Sequence, residues 1–72
     1  ARHIKSSKIM LLAIDIGNSN IVFGIYKEKK WAYLWREMTS IHKNAIDYEV
    51  ILRNYFLEAD LKISEIERIV LS

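Results

Sequence analysis

Two apolar runs separated by a short polar turn constrain the fold of this chain more than any other feature, and they occupy residues 11–26, LLAIDIGNSNIVFGIY. Apolar runs without helical spacing are typical of strands buried in a sheet. Gly17 and the polar residues after it supply the chemistry of a tight reversal. The sequence therefore predicts a β-hairpin that turns at residues 17–20 and has a first strand buried on both faces.

Asp15, at the end of the first predicted strand, is the anomalous residue of this hairpin. Removing a carboxylate from water costs on the order of several kcal/mol unless a cation, backbone amides or water meets it. A magnesium ion bound together with phosphate would offset this cost. Gly17, the turn amides and the Ser19 hydroxyl are suited to a phosphate-binding turn. A similar acid-glycine-asparagine turn also occurs in ordinary hairpins, where the side chains bond only their own backbone. From the residues alone, both interpretations stay open.

Other chemical sites have little support in the sequence. The two glycines, Gly17 and Gly24, make neither G-x-G-x-x-G nor G-x-x-x-x-G-K-[ST], which excludes Rossmann and P-loop motifs in this segment. The chain has no cysteine, which excludes disulfides and thiolate metal sites. Asp47 and Glu49 would point to different faces of a helix, so they are poor candidates for a paired acid and base. The hairpin is the one candidate site.

The remaining apolar spacing predicts an α/β order of elements. Strands near residues 9–16, 21–27 and 31–37 are joined by turns short enough for an antiparallel meander. A helix, capped by Asn44, follows. Its apolar residues recur at the spacing of a core-packing stripe: Tyr48, Ile51, Leu52, Tyr55, Phe56 and Ala59.

The end of the chain carries two further predictions. Ser64 and Glu67 have the spacing of a capping box for a short helical turn. A fourth strand is predicted to begin at Arg68 and to return to the sheet.

The formal net charge is +2, and the basic residues cluster at the start of the chain and in the turn before the third strand. A nucleic-acid surface would interleave such charges with aromatic side chains. Trp31, Tyr33 and Trp35 do follow the basic turn, but their alternation is typical of a strand with one packed aromatic face. The sequence therefore favours a solvated turn, and no nucleic-acid partner is expected. No apolar run approaches the ~20 residues needed to span a bilayer, so no membrane partner is expected either.

Residues 15–20, DIGNSN, with an apolar strand on either side, resemble the amino terminus of type III pantothenate kinases. Later landmarks follow that family's order and spacing, namely WR at 35–36, NAIDY at 44–48, SEI at 64–66 and IVLS at 69–72. Actin-like ATPases, sugar kinases and acetate kinases share an acid-x-glycine hairpin. The later landmarks make the resemblance to the kinase family more specific.

The resemblance implies an actin-like, ribonuclease H-like kinase half-domain that is incomplete here. Residues 10–72 would form the amino-terminal part of the ATP-binding domain, and residues 1–9 a basic lead-in or a cloning remnant. The implied activity is ATP-dependent phosphorylation of pantothenate, the first step of coenzyme A biosynthesis, by a cytoplasmic homodimer. The implied cofactors are ATP, magnesium and a monovalent cation, potassium or ammonium. The chain of 72 residues is expected to be inactive alone.

The resemblance also implies roles for individual residues. Asp15 is expected to meet magnesium, its water shell or phosphate, while the general base and the pantothenate pocket lie in later motifs. Ser19 stands where the family usually has threonine, and Met38-Thr39-Ser40 where it often has serine-threonine-aspartate. The expected nucleotide-binding residues are Asp15, Ile16, Gly17, Asn18, Ser19, Asn20, Ile21 and Val22.

Two other classes of protein are alternatives. One is an actin-like filament or segregation ATPase, against which the WR and NAIDY landmarks argue. The other is a non-catalytic relative, such as a transcription-accessory protein of this fold, or a fragment that pairs through an open sheet edge.

Overall fold

The computed structural model describes residues 9–72, so all but the last residue of the predicted lead-in at residues 1–9 lies outside the described residues. The elements follow the predicted order. In chain order they are β1 (Met10–Ile16), β2 (Asn20–Lys27), β3 (Lys30–Met38), α1 (Ala45–Glu58), a 3₁₀ turn (Ile63–Glu65) and β4 (Ile66–Leu71).

The strands form one mixed sheet in the order β3-β2-β1-β4. The first three strands pair antiparallel as the predicted meander, whereas β4 lies parallel to β1. Parallel neighbours need a crossover connection, and α1 lies within that connection. The result is a small α/β domain that corresponds to part of an actin-like kinase domain, as predicted.

The hydrophobic core lies between α1 and one face of the sheet. Trp35 of β3 stacks flat on Tyr55 of α1, with ring centroids 4.8 Å apart and planes 2° from parallel. The residues buried in this layer come from β1, β2 and α1, and they are Met10, Leu12, Ile21, Phe23, Ile25 and Phe56. Of the predicted helical stripe, Phe56 is buried and Tyr48, Leu52 and Tyr55 pack against this core.

The opposite face of the sheet is open within residues 9–72. Along β1, Met10 and Leu12 are buried in the core, while Leu11 and Ala13 are only half-buried and Asp15 is exposed. The expectation that this strand is buried on both faces is therefore wrong for the described part of the chain. In that part, α1 is the helix that packs on the sheet, and it covers one face.

A bulge separates the aromatic residues of β3. The pairing of β2 with β3 shifts between Ile25, which pairs with Tyr33, and Tyr26, which pairs with Trp31. Trp31 consequently lies against Gly24 on the open face, where a Cβ added to Gly24 would come within 2.8 Å of the Trp31 ring. An inserted residue changes the face that the following side chains occupy. The single aromatic face predicted for this strand is thus divided between the two sides of the sheet.

The helix begins at the predicted cap. The Asn44 side chain accepts a hydrogen bond from the Asp47 amide at 3.1 Å, and the Asp47 carboxylate accepts one from the Asn44 amide at 2.9 Å. This reciprocal pair is a capping box. The second predicted box is wrong, because Ser64 lies inside the 3₁₀ turn and Glu67 in β4. Within residues 9–72, no helix has the length and apolar character needed to cross a bilayer.

Candidate functional site

The predicted nucleotide-binding residues all lie at the end of the β1–β2 hairpin. The ladder closes with Ile16 opposite Ile21, and the Gly17 amide then donates to the Asn20 carbonyl at 2.8 Å. A Cβ added to Gly17 would lie 3.2 Å from that same carbonyl oxygen, so a side chain here would crowd the turn. The close approach of the Asn20 carbonyl therefore explains why glycine suits position 17.

The tip of the hairpin presents backbone donors to solvent. Asn18 and Ser19 are exposed. Among the described residues, neither of their amides donates a hydrogen bond to another protein group. Successive amides in a turn make a concave group of donors that suits an anion. The Ser19 hydroxyl adds a further donor at the same end of the sheet.

Asp15 lies on the open face, beside the hairpin turn. It pairs with Val22, which in turn pairs with Arg36, so the three residues form a row across β1, β2 and β3. On the other side, Ser72 continues the pairing with β1, because its amide donates to the Ile14 carbonyl at 2.9 Å. A carboxylate and a guanidinium therefore lie on the same face, two strands apart.

A shallow depression of about 240 Å³ covers this part of the open face. Asp15 and Val22 line one end of it, and Trp31 and Leu34 line another part. Because Asp15 is exposed, the desolvation cost inferred from the sequence does not arise within residues 9–72. The carboxylate oxygens are accessible to a cation or to water.

A magnesium ion fits this donor arrangement only when a ligand supplies most of its coordination. Within residues 9–72, no group of three or more histidine, cysteine, aspartate or glutamate side chains could hold a metal ion. Magnesium commonly keeps several waters and binds through one or two carboxylates together with substrate phosphates. Asp15 beside a turn with exposed backbone amides fits that mode of binding.

Thr39 also reaches the hairpin turn, a position that the sequence pattern does not predict. It follows β3 directly, and its hydroxyl donates to the Asn18 carbonyl at 2.9 Å while its amide donates to the Ser19 carbonyl at 2.9 Å. The antiparallel register of β2 and β3, which places Asn20 opposite Met38, brings Thr39 to the turn. A polar residue immediately after the third strand was the available signal.

The loop after Thr39 is attached to α1 and to β3. The Ser40 amide donates to the Tyr48 hydroxyl at 3.0 Å. The Lys43 Nζ atom lies 3.7 Å from Oε1 of Glu37. Glu37 also accepts a hydrogen bond from the Tyr55 hydroxyl. Burial, the larger cause, and this hydrogen bond raise the pKa of Tyr55 to about 12. These contacts hold the loop beside the hairpin turn.

Comparisons with known proteins identify the family. The family model of type III pantothenate kinase matches residues 11–72. Proteins named type III pantothenate kinase from Exiguobacterium sibiricum and Citrifermentans bemidjiense are each 40% identical over 63 residues, which is 88% of this chain and 25% of each relative. The protein of that name from Finegoldia magna is 37% identical over 62 residues, 86% of this chain and 24% of the relative. The chain thus spans about a quarter of the length of these curated relatives. It belongs to the type III pantothenate kinase family.

Proposed function

We propose that residues 10–72 are the amino-terminal, phosphate-binding part of an enzyme that transfers a phosphoryl group from ATP to pantothenate. The observation that carries this proposal is the hairpin end, where Asp15 lies beside exposed turn amides that have no protein acceptor in residues 9–72. Membership of the pantothenate kinase family supports the choice of phosphate as the anion and of pantothenate as the acceptor.

Phosphoryl transfer depends mostly on positioning and on stabilisation of charge. The amides of Asn18 and Ser19 and the Ser19 hydroxyl would donate to phosphate oxygens of ATP. Gly17 and Asn20 would set the turn, and Ile16, Ile21 and Val22 would hold it on the sheet. Asp15 would bind magnesium or its water shell, and the ion would supply neutralisation of the phosphate charge.

The other parts of the reaction would lie in the rest of the polypeptide. They include the general base for the pantothenate hydroxyl, the pantothenate pocket and the site for potassium or ammonium. We further propose that the whole protein acts as a homodimer in the cytoplasm. The resemblance to the family supports these assignments, and for the same reason the chain of 72 residues alone is proposed to be inactive.

The test measures pantothenate-dependent ADP release by the full-length protein that contains this segment, with magnesium and potassium present. Asp15→Asn is expected to lower kcat/KM by about 10²-fold or more, the scale of losing one preorganised electrostatic group. The matched control is Asp60→Asn, because Asp60 is exposed and its φ of 60° suits asparagine. The control is expected to retain full activity.

Other outcomes would contradict the proposal in distinguishable ways. ATP hydrolysis that is indifferent to pantothenate would indicate an actin-like ATPase. Failure of the full-length protein to bind ATP would indicate a non-catalytic relative. Equal loss in the Asp15→Asn and Asp60→Asn proteins would remove Asp15 from the site.

A further inference from the structure

Thr39 uses both of its hydrogen-bond donors on the hairpin turn. Its hydroxyl reaches the Asn18 carbonyl, 21 residues away in sequence, at 2.9 Å. Its amide reaches the next carbonyl, that of Ser19, also at 2.9 Å. One residue at the end of β3 therefore binds two consecutive carbonyl groups of the turn.

Binding these carbonyls fixes the direction of the amides in the same peptide units. In a planar trans peptide, the N–H points opposite to the C=O. The Asn18 carbonyl shares its peptide with the Ser19 amide, and the Ser19 carbonyl shares its peptide with the Asn20 amide. Because both carbonyls point toward Thr39, both amides point away from it.

Thr39 is itself held in place. Its amide bond extends the pairing of β3 with β2 beyond Met38. The next residue, Ser40, donates its amide to the Tyr48 hydroxyl of α1 at 3.0 Å. The turn is therefore held from outside the hairpin as well, by β3 and α1.

We propose that Thr39 is a positioning residue for phosphate binding. It holds the peptide units of the turn so that the exposed Ser19 amide is directed at the phosphates before ATP arrives. The proposal rests on the proposed function, and Thr39 acts through the turn without touching the nucleotide. Preorganised donors bind an anion more tightly because no ordering cost remains to be met on binding.

The test compares three variants of the full-length protein. Thr39→Val removes the hydroxyl donor and keeps the shape and the backbone amide, whereas Thr39→Ser keeps the hydroxyl. Ser40→Ala is the matched control, because the Ser40 hydroxyl accepts a hydrogen bond from the His42 amide within the same loop. Dissociation constants for magnesium-ATP and for adenosine are measured for each, together with KM for ATP and for pantothenate.

The Thr39→Val protein is expected to bind ATP about tenfold more weakly, the effect of one lost hydrogen bond. KM for ATP is expected to rise by a similar factor, while KM for pantothenate and the affinity for adenosine stay unchanged. Thr39→Ser is expected to restore ATP affinity. A purely structural role would lower the unfolding midpoint without separating ATP from adenosine.

The contradicting results are equally specific. ATP affinity in Thr39→Val equal to that of the parent, or an equal loss in Ser40→Ala, would overturn the proposal for Thr39 and leave the proposed function intact. A parent protein that does not bind ATP would overturn both. If Thr39→Val does not fold, Thr39→Ala replaces it and is expected to show the same loss of ATP affinity. In the parent protein, ATP is expected to slow hydrogen exchange of the Ser19 amide, and unchanged exchange would contradict the proposal.

Discussion

The Tyr48 hydroxyl, near the start of α1, accepts a hydrogen bond from the Ser40 amide at 3.0 Å. Ser40 adjoins Thr39, which binds the hairpin turn, so this bond connects the helix to the candidate site. Tyr48 was predicted as a core residue, and its ring does pack against the core. The same side chain thus stabilises the core with its ring and orders the loop with its hydroxyl.

Replacement of Tyr48 by phenylalanine tests this connection. The ring and its contact with the Lys43 ammonium, 5.5 Å from the ring centroid, would remain, whereas the acceptor for the Ser40 amide would be lost. We expect the free energy of unfolding to fall by about 1 kcal/mol, measured by urea denaturation. Tyr33→Phe is the control, because the Tyr33 hydroxyl makes no hydrogen bond to protein among residues 9–72. Equal losses in the two proteins would contradict the prediction.

Gly24→Ala tests the contact created by the bulge in β3. The added Cβ would lie 2.8 Å from Cζ3 of Trp31 and 3.1 Å from Cδ2 of Leu34, so the side chains must shift. We expect a loss of about 1–2 kcal/mol in the free energy of unfolding, since overpacking of this kind destabilises. Trp31 is 54% exposed, which leaves its ring room to move and limits the cost.

A double-mutant cycle separates this contact from other effects of the alanine. In a Trp31→Ala background, the Gly24→Ala substitution is expected to cost much less. An unchanged cost in that background would show that the Trp31 ring is not the obstacle.

Asn44→Ala and Ser64→Ala compare the capping box that forms at Asn44 with the one predicted at Ser64, which does not form. The Asn44 side chain bonds the Asp47 amide, so its removal is expected to cost about 1 kcal/mol in the free energy of unfolding. Ser64→Ala is expected to cost almost nothing, because Ser64 is exposed and lies inside the 3₁₀ turn. Thermal unfolding of the two proteins checks the difference, and a larger effect at Ser64 would contradict it.

Local signals in the sequence were sufficient for the hairpin and the helix. The turn chemistry after Gly17 and the side chain of Asn44 act within a few residues, and both elements form where predicted. One local prediction failed, the capping box at Ser64 and Glu67, because Glu67 belongs to β4. The other failures are non-local. The face occupied by Trp31 depends on a shift in pairing with β2, which alternation along one strand does not reveal.

The same reason explains the missed part of the site. Thr39 reaches the turn only because β3 pairs with β2 in one register. The exposure of Asp15 depends on what covers the open face, which the pattern of β1 alone does not determine. The chemistry proposed for the site thus rests on residue types, whereas its support and its exposure depend on the pairing of the sheet.

The contact between Tyr55 and Glu37 predicts a pH dependence of stability. Burial and the hydrogen bond to Glu37 raise the pKa of Tyr55 from 10.0 to about 12. A phenol with a raised pKa in the folded state stabilises the fold fully below the unfolded pKa, and it loses that contribution as the pH rises through the folded pKa. We therefore expect the stability difference between the parent and Tyr55→Phe to be constant below about pH 10 and to shrink between about pH 10 and 12. Urea unfolding of both proteins across this range measures the difference, in which the titration of other groups cancels. In a Glu37→Gln background, the pH range over which the difference shrinks is expected to be narrower, because the carboxylate that favours the protonated phenol is removed. A stability difference that grows with pH would contradict the raised pKa.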